Sequence, residues 1–221
     1  MVTMQRKRDT SIIVLSIYLA FSLIGISHQT IAQQTTPCDS ALSANLLNSE
    51  RIAKKFGGYG IEILQSTPRL RVSNLYDGNK ITRTVAIVDY PETIDTAFSK
   101  EHTEIVNGGS IGAVFKKHGW KIEKKNIYFG EIPTGDYKEL YKHMGNMAPS
   151  KLSIWIYVFQ IQKGSKQYAY ATISEIYHPD FLSLTDLKCI NKDAANYLQE
   201  TPTVKKDLKK IKQLMKLESK K

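Results

Sequence analysis

The sequence has few of the residues and motifs that carry most catalytic and cofactor chemistry. Its 221 residues include two cysteines and five histidines. No HExxH or CxxC pattern occurs, so the common signatures of zinc proteases and thiol redox proteins are absent. We therefore predict no metal site and no cofactor, leave catalytic residues unassigned, and favour a binding role over an enzyme.

Long apolar runs are also scarce, with one exception near the start. An uncharged apolar run of 16 residues extends from Ser11 to Ile26, after the basic residues Arg6–Arg8 and before the small-residue exit Thr30–Ala32. It is shorter than the roughly 20 residues of a membrane-spanning helix. This order is typical of a secretory signal peptide. We predict that residues 1–32 are removed and that the mature chain is exported to a periplasmic or extracellular space. Retention as a membrane anchor is the alternative.

Export changes the expectation for the two cysteines, Cys38 and Cys189. In an oxidising compartment, a single pair of cysteines is expected to form a disulfide. This bond would close a long loop and add on the order of 4 kcal/mol of stability by restricting the unfolded chain. Two buried free thiols are the alternative.

Basic residues outnumber acidic ones, but the excess is concentrated at the end of the chain. The formal net charge is +10, and residues 202–221 carry eight lysines against Asp207 and Glu218. Apolar residues recur there every three or four positions: Val204, Leu208, Ile211 and Met215. This pattern indicates a basic amphipathic helix.

Two interpretations of this C-terminal segment are open. Its apolar side could pack on the domain and leave the lysines solvated. Alternatively, the lysines could contact an anionic membrane surface: Lys205, Lys206, Lys209, Lys210, Lys212 and Lys216. Nucleic acid is disfavoured as a partner because no stacking aromatic residues accompany the lysines.

The region between the two end segments, residues 33–201, predicts a single α+β domain. Six runs have strand composition and are separated by turn residues or helices: residues 61–65, 69–76, 81–90, 121–132, 151–162 and 167–177. Helical patterns cover the intervening segments: residues 39–56, 94–106, 111–118, 137–144 and 182–190. We predict an antiparallel sheet of about six strands with helices mainly on one face.

The segment NGGSIGAVF, Asn107–Phe115, lies between two of the predicted helices. Gly108 and the preceding asparagine can end one helix, and Ser110 can cap the next, which would make the segment a corner between helices. The same glycines, with Gly109, could instead expose N–H groups to a phosphate or carboxylate, and Arg83 could supply a positive charge. The lysine of a P-loop is absent, so the corner is the favoured interpretation.

Histidines and a glutamate offer weaker candidates for a site. His102 and His118 lie on the apolar sides of adjacent predicted helices and could meet, with Glu131 at the end of the fourth strand as a third group. His178 stands at the end of the last strand, in Tyr-His-Pro-Asp. Core packing is the favoured explanation of the first pair, and a turn is the favoured explanation of His178.

The last hairpin and its exit at His178-Pro179 resemble the ligand-binding sheets of chorismate-lyase-like domains. The resemblance covers only this hairpin and includes no catalytic motif, so no residue role is carried across from that family. It implies a sheet that carries a ligand site.

The leading functional hypothesis is an exported, non-catalytic domain that binds a small anionic ligand or an envelope protein. The first alternative is a small secreted lyase or hydrolase that uses His102, Glu131 or His178. The second alternative is association with an anionic surface through the lysine-rich C-terminal segment.

Overall fold

The computed structural model describes residues 46–134, 143–144 and 151–217 of the chain. The strands are β1 (Tyr59–Thr67), β2 (Leu70–Asp77), β3 (Thr82–Asp89), β4 (Lys121–Pro133), β5 (Lys151–Lys163) and β6 (Lys166–Tyr177). The described α-helices are α1 (Asn48–Phe56), α2 (Ser99–Val106), α3 (Ile111–Lys117), α4 (Leu184–Ile190) and α5 (Pro202–Leu217). Short 3-10 segments cover Thr96–Phe98 and Ala194–Tyr197.

The strands form one antiparallel sheet in the order β1-β2-β3-β6-β5-β4. The predicted α+β class and the six-stranded antiparallel sheet are therefore confirmed. β1, β2 and β3 follow one another as a meander, and β5 and β6 form a hairpin. Gly164 begins the hairpin turn with φ of 61°, a conformation that glycine adopts without steric cost. β6 pairs with both β5 and β3, so it joins the two halves of the sheet.

The inner strands are buried on both faces: seven consecutive residues of β3 are buried, and alternate side chains point in opposite directions. We call the side that carries Tyr157 and Phe159 the first face, and the side that carries Ile154 and Ile156 the second face. Helices α1 to α4 cover the first face with buried side chains: Ile52, Ile105, Phe115, Leu187 and Ile190. Four of the described helices thus share one face, as predicted.

The C-terminal helix α5 covers the second face. Val204, Ile211 and Met215 are buried there against strand residues such as Ile87 and Ile154. The predicted amphipathic helix is therefore present, and its apolar side packs on the sheet, as in the first of the two interpretations of this segment. None of the helices in the described ranges combines the length and the apolar character needed to cross a membrane.

Two predicted helices differ from the structure or lie outside it. The helix predicted from Asp39 begins only at Asn48, since Leu46 and Leu47 are not helical, and residues 39–45 lie outside the described ranges. Leu47 is extended, with φ of −65° and ψ of 155°, and its N–H donates to the side chain of Glu50. Of the helix predicted at 137–144, only His143 and Met144 are described, and both are helical.

The predicted signal peptide and one half of the predicted disulfide also lie outside the described residues. Cys189 belongs to α4, but Cys38 is not described. The signal peptide, its removal and the disulfide therefore stay predictions.

Candidate functional site

A cavity of about 60 Å³ lies on the first face, between the sheet and helices α1 and α3. Its floor includes Ser73 and Ala86, which are cross-strand partners on β2 and β3. Glu175 on β6 pairs with Ala86 from the other side. Two short side chains in one row of the sheet leave a space that a closely packed core would fill.

The roof of the cavity depends on a close contact between α3 and the residue that precedes α1. A Cβ atom on Gly112, in the first turn of α3, would lie 2.7 Å from Leu47 Cδ2. The missing side chain allows Leu47 to lie directly against α3. Ser110, which precedes α3, also lines the cavity. The glycine-rich segment thus contributes to the cavity through its packing.

Cations outnumber anions around this cavity. Arg71 and Lys124 both line it, and Glu175 is the single acidic group among its described lining residues. Burial lowers the pKa of Lys124, the charge of Glu175 opposes this effect, and the charge of Arg51, which is 1 % exposed, lowers the pKa further. Two positive charges and one negative charge in a region of low dielectric favour an anion.

Glu175 is held by a dense set of donors and is 5 % exposed. The Tyr177 hydroxyl donates to Oε2 at 2.6 Å, and the Asn48 amide donates to Oε1 at 3.1 Å. The ammonium nitrogen of Lys124 lies 3.7 Å from Oε2. Burial, and after it the charge of Glu175, raises the pKa of Tyr177 and of Tyr157 well above the usual value. Both tyrosines therefore stay protonated and available as donors.

Two polar atoms at the cavity have no hydrogen-bond partner of good geometry among the described residues. Arg71 is 2 % exposed, and its Nε–H makes no hydrogen bond of good geometry within the described residues, although the Tyr90 hydroxyl lies close to the guanidinium. Asn48 is 5 % exposed, and its Oδ1 has no donor. Buried polar atoms of this kind normally bind a partner, and a cavity of this size has room for one. An acceptor oxygen at Arg71 would satisfy the guanidinium.

The glycine corner predicted at Asn107–Phe115 is present. Gly108 has φ of 109°, and the N–H groups of Gly108 and Gly109 donate to carbonyl oxygens of α2 at 3.0 and 3.1 Å. These donors are therefore occupied by the end of α2. The segment Gly108–Gly112 also fits the GxSxG pattern, which the sequence analysis overlooked. It follows a helix instead of a strand, and the Ser110 hydroxyl contacts no histidine among the described residues, so the context of a nucleophile elbow is missing.

Arg83, the positive charge proposed for the corner, lies elsewhere. Its guanidinium binds Asp77 at 2.8 Å and stacks on Phe56, with 3.9 Å between its central carbon and the ring centroid. Arg71 pairs with Val88, five residues along β3 from Arg83, which is about 17 Å at the rise of a strand. Arg71, not Arg83, reaches the corner.

The histidines and Glu131 each have separate partners. His102 Nδ1 lies 2.9 Å from the Tyr170 hydroxyl, and burial lowers its pKa. His118 Nε2 lies 2.9 Å from a carboxylate oxygen of Glu104. Glu131 is paired with Lys151 at the surface. No hydrogen bond or ion pair in the described ranges joins any two of His102, His118, Glu131 and His178, so the predicted meeting of His102, His118 and Glu131 is not seen.

His178 is a buried turn residue. The N–H of Asp180 donates to its Nδ1 at 3.1 Å, so this nitrogen is an acceptor and Nε2 carries the hydrogen. That hydrogen points to the Met144 carbonyl oxygen, 3.1 Å away from Nε2. Burial, and after it the charge of Arg83, lowers the pKa of His178.

The charged residues of the cavity were not predicted from sequence: Arg71, Lys124 and Glu175. A signal was present for two of them. Arg71 points to the same side of β2 as Ser73 and Leu75, because residues two apart in a strand share a face. Glu175 likewise shares a side of β6 with Ile173 and Tyr177, so each charge lies on a buried side. Such a charge needs a partner, which marks it as a candidate.

The described residues contain no group of three or more histidine, cysteine, aspartate or glutamate side chains positioned to hold a metal ion. Comparison of the chain with protein-family models, with curated protein sequences and with solved structures finds no match. The resemblance of the last hairpin to chorismate-lyase-like domains therefore stays a prediction.

Proposed function

We propose that this domain binds a small anionic ligand in the cavity between the sheet and helices α1 and α3. The observation that carries the proposal is the buried Arg71, which lines a cavity with more cations than anions and whose Nε–H makes no hydrogen bond of good geometry within the described residues. A carboxylate or phosphate oxygen would accept this hydrogen bond. Ser73 and Ser110 offer hydroxyl groups nearby.

The cavity also suits an apolar group on the same ligand. Much of its lining is aliphatic or aromatic, and the apolar lining residues come from several strands: Leu75, Ala86, Val88, Phe159 and Ile173. A ligand with one charged end and a small apolar body matches this combination. The volume limits that body to a few carbon atoms.

Thermal unfolding with matched probes tests the proposal. Isobutyrate and inorganic phosphate are compared with isobutyramide, which has the shape of isobutyrate but no charge. At ten times its Kd, a ligand stabilises the folded state by about 1.4 kcal/mol, or roughly 3–6 °C in Tm. We expect at least one anion to raise Tm and isobutyramide to have little effect. Equal shifts from isobutyrate and isobutyramide, or no shift from any anion, would contradict the proposal.

A pair of serine variants locates the binding site. Ser73→Val fills part of the cavity and removes a hydroxyl. The control, Ser174→Val, makes the same change at a buried serine of β6 that does not line the cavity, because its side chain points to the other face from Glu175. Ser73→Val should keep its fold and lose the anion-induced shift. Ser174→Val should retain it. Retention of the shift in Ser73→Val would place the ligand elsewhere.

A second proposal concerns the lysines of α5, for which we propose contact with an anionic membrane surface. Lys205, Lys206 and Lys209 are exposed, while the apolar side of the helix is buried on the sheet. Binding would therefore be electrostatic, without insertion of α5 into the bilayer, and salt would weaken it.

The test uses vesicles that contain phosphatidylserine, at low and at high salt. Replacing Lys205, Lys206 and Lys209 together by glutamine should abolish the salt-sensitive binding. The matched control replaces three exposed lysines on strands β4 and β6: Lys121, Lys125 and Lys166. Equal loss in both triple variants would show a general effect of net charge, which would contradict a role for α5.

We also propose that the chain is exported and that Cys38 and Cys189 form a disulfide there. The supporting observations are the order of charges and apolar residues in residues 1–32 and the presence of two cysteines after them. N-terminal sequencing of the secreted or periplasmic protein should start close to Gln33. Full-length protein with two thiols that react without reductant would contradict both parts.

A further inference from the structure

We propose that Lys124 forms a reversible Schiff base with the carbonyl group of an oxo acid bound in this cavity. The inference rests on the proposed anion site and names the ligand class more closely. The carboxylate of the oxo acid would lie at Arg71, and its carbonyl carbon at the amine of Lys124, since both side chains line the same cavity.

The position of the Lys124 amine supports this role. Lys124 extends from β4 across β5, so that its nitrogen lies 4.4 Å from the ring centroid of Trp155 and 4.5 Å from that of Tyr157. The nitrogen then reaches Glu175 on β6, at 3.7 Å. The side chain is 17 % exposed. An amine that lies over two aromatic rings, on a side chain that lines the cavity, is sheltered from bulk water.

Two further features favour nucleophilic chemistry at this amine. Burial lowers the pKa of Lys124, against the opposing charge of Glu175, and a lower pKa increases the share of free amine at neutral pH. Glu175 is also close enough to exchange a proton with the amine, directly or through one water molecule.

The reaction balances without any further reactant. Glu175 takes a proton from the ammonium group, and the free amine attacks the carbonyl carbon. A proton moves from the attacking nitrogen to the carbonyl oxygen to give a carbinolamine. Glu175 then returns its proton to this oxygen, which leaves as water, and the imine keeps one proton. The products are an imine between Lys124 and the ligand and one water molecule, so no oxidant or reductant is required.

The separation between the Arg71 guanidinium and the Lys124 amine sets the distance between the carboxylate and the carbonyl group of the ligand. Arg71 stands on β2 and Lys124 on β4, four strand positions apart, or about 19 Å between backbones. Both long side chains span part of this distance. A 4-oxo acid fits a wider gap than a 2-oxo acid, so both classes belong in the test.

The experiment incubates the full mature protein with pyruvate, with levulinate (4-oxopentanoate) or with the uncharged ketone butanone, in the presence of cyanoborohydride. This reagent reduces the imine to a stable secondary amine, which intact mass and peptide mapping then detect. We expect one adduct, on Lys124, with at least one oxo acid. Lys124→Arg should lose it. Lys125→Arg, a change at the adjacent exposed lysine of β4, should retain it.

The outcomes separate this inference from the anion site. Labelling spread over surface lysines, or no adduct at Lys124, would overturn the Schiff base, and a Tm shift with isobutyrate would still support the anion site. If butanone labels Lys124 as strongly as the oxo acids do, and no anion shifts Tm, the anion site is rejected. The result would then show only that Lys124 is reactive.

Discussion

Arg71 on β2 donates a hydrogen bond of 2.9 Å to the carbonyl oxygen of Gly109. The same nitrogen donates to the carbonyl oxygen of Ile105, also at 2.9 Å. A buried cation of the sheet thus holds the end of α2 and the corner that follows it. The corner presents carbonyl oxygens to a protein guanidinium, so its architecture is explained without a ligand, and the cavity lies beside it.

Loss of this guanidinium should strongly destabilise the fold. In Arg71→Met, the carbonyl oxygen of Gly109 loses this donor and that of Ile105 keeps only the Gly108 N–H. Each lost hydrogen bond from a charged group costs about 1.5–3 kcal/mol. We expect the free energy of unfolding to fall by roughly 2–5 kcal/mol, measured by urea denaturation. Arg69→Met, at an exposed arginine just before β2, should change it by less than about 0.5 kcal/mol. Similar small effects in both variants would show that Arg71 does not hold the corner.

Gly109 and Gly112 should differ in their response to alanine. A Cβ on Gly109 would lie 2.7 Å from Val114 Cγ2 and 2.9 Å from the backbone oxygen of Glu104. Backbone cannot move away cheaply, so Gly109→Ala should cost about 1–3 kcal/mol.

The matched variant Gly112→Ala meets only the end of the Leu47 side chain, which can rotate. Alanine is also favoured over glycine inside a helix by up to about 1 kcal/mol. Its net effect on the free energy of unfolding should therefore be close to zero. A larger loss in Gly112→Ala than in Gly109→Ala would contradict the contacts described for the corner.

The sheet was predictable from sequence because its signals are local. Gly164-Ser165 marks the hairpin, and the unbroken apolar middles of β3 and β5 indicate strands covered on both faces. The pairing of β6 with β3 has no local signal. It brings Glu175 beside Ala86 and thereby creates the cavity, so the site depends on contacts between distant segments.

The start of α1 shows the same limit in a helix. The pattern from Asp39 onward is helical in spacing, but Leu47 is extended and packs against Gly112 of α3. A tertiary contact overrides the local preference there. Asn48 consequently begins the helix and its amide reaches Glu175, which no pattern in residues 39–56 indicates.

His178 should make stability depend on pH below neutrality. Its pKa in the folded state is lowered by burial and by Arg83, against the opposing effects of Asp180, the Met144 carbonyl and Asp77. The unfolded state therefore binds more protons as pH falls below the ordinary histidine pKa of about 6.5. The contribution is complete above that pH and is lost on acidification, by about 1.4 kcal/mol for each unit by which the pKa is lowered.

Urea denaturation between pH 8 and pH 5.5 measures this slope. His178→Gln should flatten it, whatever its effect on stability at pH 8. His102→Gln should also reduce the dependence of the free energy of unfolding on pH, because burial lowers the pKa of His102 as well. An unchanged slope in His178→Gln would mean that the buried imidazole is protonated at little cost.

The two sides of α5 should differ sharply in their importance for the fold. Ile211 is 2 % exposed on the second face of the sheet, while Lys209 is exposed to solvent. Ile211→Ala removes buried carbon atoms and leaves a void, so it should lower the free energy of unfolding by about 2–5 kcal/mol. Lys209→Ala should change it by less than about 0.5 kcal/mol. If both variants were neutral, the helix would be free to leave the sheet, and its apolar side would become available to a membrane.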